Sequence, residues 1–105
     1  MKFLSLTTYN IDKLAEVAKA ADKLAANPPA GYKILSMYSC QANPFPGTEL
    51  PQGTMVTVSI IECDSAESMA AASLEMTLAG ATVNRIPVME ITTGDAEGTV
   101  EKLKT

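Results

Sequence analysis

The chain is 105 residues long with a mass of 11.1 kDa, the length of one domain, and at this mass roughly 65% of the unfolded surface is buried on folding. Apolar residues make up 47% and charged residues 19%, which excludes a disordered chain, and a pI near 4.6 with 8 basic against 12 acidic residues argues against binding to nucleic acid or an anionic membrane. No histidine is present, so a Ser-His-Asp or Cys-His nucleophile, a His-ligated haem and a His-based zinc site are excluded.

Lys2 to Tyr9 alternates in the manner of a half-buried strand, and it is too short and polar for the core of a secretory leader. Asn10 is a good N-cap, Asp12 suits a first helical turn, and Ile11, Leu14, Val17, Ala21 and Leu24 recur at helical spacing to Ala26. Asn27-Pro28-Pro29 stops that helix and Gly31 turns the chain. Tyr32 to Cys40 reads as a second strand. Gln41 to Thr54 holds three prolines and two glycines in fourteen residues and reads as a long loop.

Met55 to Cys63 is β-branched and reads as a third strand. Asp64, with Glu67, resembles a capping box ahead of a second helix from Ser65 to about Leu78, ended by Gly80. Ala81 to Thr92 reads as a fourth strand, placed at an edge by Pro87, and Asp95 to Lys104 as a short tail helix. No segment approaches the about 18 apolar residues of a membrane span. The order β-α-β-β-α-β is the ferredoxin-like arrangement, an α+β fold with a four-stranded antiparallel sheet. One domain is expected over 1–105, with its core in 1–92, the loop 41–54 and the tail helix 95–104.

Strand parity predicts two unlike sheet faces. Leu4, Leu6, Leu35, Met37, Val56, Val58 and Ile60 are apolar and are expected beneath the helices. Phe3, Ser5, Thr7, Tyr9, Ile34, Ser36, Tyr38, Thr57, Ser59 and Ile61 then share the opposite face, a mixture of hydroxyls, tyrosines and aliphatics. Such a face is covered if two copies pack sheet to sheet, enclosing a small hydroxyl-lined space; the plainer alternative is a monomer whose Ser and Thr positions meet solvent. If the second and third strands pair as a hairpin, Cys40 and Cys63 lie at its opposite ends, about 25 Å apart at the strand rise. They are expected as free thiols, in a reducing cytoplasm.

The candidate ligand-binding residues follow from that map. Arg85 is the only arginine; its planar fork suits a carboxylate or phosphate, and an ion pair with Glu62 or Glu90 is the plainer role. Tyr9 and Tyr38 can donate hydrogen bonds or act as acids, or simply pack at an interface. Ser36, Thr57 and Ser59 line the same space. Glu62, closing the third strand, is a candidate base or a solvated strand end. Met69 and Met76 read as core. No Gly-rich phosphate loop or metal spacing is present, and no metal or cofactor is expected.

Met1-Lys2-Phe3-Leu4, Asn27-Pro28-Pro29-Ala30-Gly31-Tyr32-Lys33-Ile34-Leu35, Ile61-Glu62-Cys63-Asp64 and Arg85-Ile86-Pro87-Val88 resemble a small domain-of-unknown-function family of the dimeric α/β-barrel superfamily. The GYD-domain family is similar in plan. The resemblance implies a homodimer, or a higher oligomer, and no particular reaction. Three functions are therefore expected as alternatives. The first is a homodimer whose cavity binds a small, partly apolar ligand. The second is a cofactor-independent monooxygenase-like or isomerase-like enzyme on an aromatic or lactone substrate, with Tyr9, Tyr38 and Glu62 as acid-base groups. The third is an assembly module using the long loop as an arm; that loop is also a candidate lid.

Overall fold

The structure, a computed structural model, describes all 105 residues. Strand β1 (Lys2–Asn10) leads through a single 3-10 turn at Ile11–Lys13 into helix α1 (Leu14–Ala26). The Asn10 side chain accepts a hydrogen bond from the Asp12 backbone N–H at 3.1 Å, as its cap role predicts, but it caps the tighter turn ahead of α1. Strands β2 (Tyr32–Ser39) and β3 (Thr54–Cys63) flank the long loop, followed by α2 (Ala66–Leu78), β4 (Thr82–Val88) and α3 (Ala96–Leu103). No helix is long and apolar enough to cross a membrane.

The four strands form one antiparallel sheet in the order β2-β3-β1-β4. This is the ferredoxin-like topology, and β4 with its Pro87 lies at an edge as expected. Two boundaries differ in an instructive way. Ser65, one residue beyond Asp64, is the N-cap of α2, its hydroxyl accepting from the Ser68 N–H at 3.1 Å. The fourth strand stops at Val88, four residues early, because Val88 pairs with Lys2, the first residue of β1, and no partner lies beyond it. Gly80, at φ 107°, ends α2 in a conformation only glycine adopts readily.

In β1 and β3 the facing is the reverse of the sequence expectation, whereas Met37, Ser36 and Tyr38 of β2 lie on the faces expected for them. Three rows cross the face beneath the helices. Pro87, Phe3, Ile61 and Ile34 form the first; Arg85, Ser5, Ser59 and Met37 the second; Val83, Thr7, Thr57 and Ser39 the third. Ile61 is almost completely buried against Val17, Leu24, Tyr32 and Met76, with Ala72 fully buried where α2 approaches the sheet. Leu4, Leu6, Val56, Val58 and Ile60, expected beneath the helices, lie on the outer face, together with Ile86, which is 44% exposed. Core burial here comes from large residues at the row ends and on the helices, while small hydroxyls occupy the middle.

Strand β2 also breaks its own alternation. A register shift between Ile34 and Ser36 moves Met37 to the helix side and Ser36 and Tyr38 to the outer face. Both cysteines are free thiols; Cys63 pairs with Tyr32 and the Cys40 N–H bonds to the Val56 carbonyl, placing them at opposite ends of the hairpin as the register argument requires.

Candidate functional site

Because its middle rows carry serine and threonine, the covered face leaves space beneath α1. That space is a cavity of about 220 Å³ between the sheet and the helices. Ser5, Thr7, Tyr9, Thr57 and Ser59 form its floor, Val17, Ala21 and Leu24 of α1 its roof, and Tyr32, Met76 and Arg85 its sides.

Arg85 starts on the edge strand and crosses the sheet. Its row neighbours Ser5 and Ser59 are small enough to let an arginine side chain lie over them. The guanidinium then reaches Tyr32 on the opposite edge strand: Nη1 donates to the Tyr32 hydroxyl at 3.1 Å, and the cation sits 5.6 Å from that ring's centroid. Nε donates to the Ser73 hydroxyl of α2 at 3.2 Å. The molecule's three ion pairs are Lys2–Glu90, Lys23–Glu75 and Lys104–Glu101, so the ion pair with Glu62 or Glu90 considered for Arg85 is not made. A part-buried cation held only by neutral hydroxyls keeps its charge uncompensated.

The floor is equally unfinished. Ser5, Thr7 and Ser59 are only 2%, 6% and 6% exposed, yet none of their hydroxyls bonds to protein; the floor's one side-chain contact is Tyr9 Oη to Thr57 Oγ1 at 3.5 Å. Their oxygens face the cavity, since no fully enclosed side-chain polar atom lacks a partner. Cavity-facing hydroxyls of this kind are ordinarily satisfied by water or a bound polar molecule.

Of the sequence-predicted residues, Arg85, Tyr9, Thr57 and Ser59 come together in this cavity. Ser36 and Tyr38 lie across the sheet on the outer face, Tyr38 being 63% exposed, and Glu62 is an exposed strand end. Tyr9, Tyr38 and Glu62 therefore do not form one acid-base group. The enclosing wall is also corrected: α1 and α2 of the same chain cover the hydroxyl face, so no second sheet is needed to close it. No residue of the loop 41–54 lines the cavity; the loop instead shares a separate cleft with Met55 and Val56. Tyr32, Ser73 and Asp22 were not singled out from sequence. Tyr32 shares strand parity with Ile34 and was open to that reading, whereas the helix residues Ser73 and Asp22 give no local signal.

The fold has known counterparts. The chain is similar to the uncharacterized protein TM1266 from Thermotoga maritima, with a TM-score of 0.59 and 10% identity over 84% of this chain and 96% of that one. It is also similar to the periplasmic divalent cation tolerance protein CutA from Archaeoglobus fulgidus, with a TM-score of 0.48 and 13% identity over 98% of this chain and 99% of that one. No protein-family model matches the chain, and no curated protein matches it in sequence. The likeness to TM1266 is one of fold, the ferredoxin-like α+β architecture.

Proposed function

We propose that the protein binds a small, partly apolar anion in the cavity beneath its helices, with Arg85 as the anchor. The carrying observation is Arg85 itself, a cation without a carboxylate partner set beside the cavity-facing hydroxyls of Ser5, Thr7 and Ser59, none of which bonds to protein. A carboxylate or phosphate oxygen suits the N–H donors of the guanidinium that Ser73 and Tyr32 do not engage. The aliphatic roof of Val17, Ala21 and Leu24 suits an apolar body. Native mass spectrometry of gently purified protein tests this. A stoichiometric small mass carried by the wild type and absent from Arg85→Ala is the expected result. The same mass retained by Arg85→Ala would place the ligand elsewhere.

We infer in addition that two copies pair through the outer sheet face. Its two middle rows, Ile86-Leu4-Ile60-Ser36 and Asn84-Leu6-Val58-Tyr38, carry the sheet's other aliphatic residues and lie on the side away from α1 and α2, with Ile86 and Tyr38 exposed. At ordinary strand spacing and rise a four-stranded face of about seven residues measures about 450 Å² in projection, so a pair would bury on the order of 1,000 Å². That reaches the lower range of specific interfaces, and a second copy of the same face can meet the two aliphatic rows with its own while the charged row Lys2-Glu62-Lys33 stays at the rim. Ser36 and Tyr38 are then interface residues.

A further inference from the structure

The cavity carries a second charge. Asp22, on the flank of α1 beside Ala18 and Ala21, lines the same space as Arg85. It takes part in none of the three ion pairs, and no side-chain hydrogen bond engages its carboxylate. The two charges share a cavity without touching each other. Of the five N–H donors of a guanidinium, two are engaged by Ser73 and Tyr32, which leaves three for a ligand.

These charges constrain the ligand more tightly than an anion alone. A simple carboxylate bound at Arg85 meets a like charge in Asp22, which stands at the solvent-exposed rim of the same cavity. A molecule that carries an ammonium beside its carboxylate turns that repulsion into attraction, and the hydroxyls of Thr7, Ser5 and Ser59 can accept its remaining N–H donors. Size is compatible with a small member of that class, although the cavity opens to solvent on one side. An apolar cavity of about 150 Å³ takes benzene, with six heavy atoms, so in proportion the 220 Å³ here takes about nine. We propose that the cavity binds a free α-amino acid with a branched aliphatic side chain, its carboxylate on Arg85 and its ammonium facing Asp22. This rests on the anion-binding reading above and adds to it the identity of the ligand.

Isothermal titration of the full chain with three probes tests the assignment: L-leucine, isocaproate (the same skeleton without the amine) and isoamylamine (without the carboxylate). The expected result is that leucine binds at least about tenfold more tightly than isocaproate and that isoamylamine does not bind measurably. Asp22→Asn weakens leucine by about tenfold and leaves isocaproate unchanged or tighter, whereas Arg85→Met abolishes both. Asp22 is exposed on its helix, so the variant folds, and Asp22→Ser provides a second reading of the same effect. If isocaproate binds as tightly as leucine and neither Asp22 variant alters leucine, the amino-acid assignment is overturned while the anion site stands. If neither leucine nor isocaproate binds, both readings fall.

Discussion

Beneath two helices, the Arg85 guanidinium has lost part of its hydration and is met by a phenol and a serine hydroxyl in place of a carboxylate. Fork geometry matters there, because a lysine presents a point charge and cannot reach Ser73 and Tyr32 from separate nitrogens. Arg85→Lys is therefore expected to keep the fold and weaken carboxylate binding by about tenfold or more, measured by calorimetry with isocaproate. The unpartnered floor makes the opposite kind of prediction. Ser5→Ala and Ser59→Ala remove hydroxyls that bond to nothing in the protein, so urea unfolding should change by less than about 0.5 kcal/mol. A loss above about 1.5 kcal/mol would mean that these hydroxyls have structural partners. Arg85, Tyr9, Thr57 and Ser59 were legible as a group because they share strand parity. Asp22 and Ser73 were not, since a helix flank meets a cavity only through the packing of whole elements.

Single residues also fix where the elements begin. Ser65 caps α2 in place of the neighbouring Asp64, since its extended backbone points the hydroxyl at the Ser68 N–H. Ser65→Ala should cost about 1 kcal/mol, read as a lowered urea midpoint with unchanged slope. Element order and most boundaries could be read from alternation, prolines and caps. What alternation could not supply is a choice between faces. Leu4-Leu6 and Phe3-Tyr9 are each a credible core row, and the helices decide by where Val17, Leu24, Ala72 and Met76 find their partners. The register shift after Ile34 then split β2 between the two faces. The loop 41–54 packs away from the cavity, so deleting Pro44 to Gln52 is expected to leave ligand affinity within about twofold, by the same calorimetry.

At the level of the molecule, the sheet is polar in the middle where its helices cover it and apolar in the middle where they do not. That inversion underlies both proposals, a ligand cavity on the covered side and pairing of copies on the open side. Sedimentation should give twice the 11.1 kDa chain mass, and a charge within the open stripe, Leu6→Glu, should reduce it to a single chain while the Arg85 cavity still binds. A wild-type monomer would remove the pairing proposal and leave the cavity untouched.

The cavity has a built-in probe. The chain contains one arginine, so its side-chain Nε–H gives a single proton–nitrogen resonance, slowed in exchange by its bond to Ser73. Titrating small carboxylates while following that resonance measures the central claim directly. A saturable shift of the Arg85 Nε–H signal, accompanied by shifts at Ser5 and Ser59, is the predicted result. A resonance that stays in place while ligand shifts collect on the outer face, or while none occur at all, would contradict it.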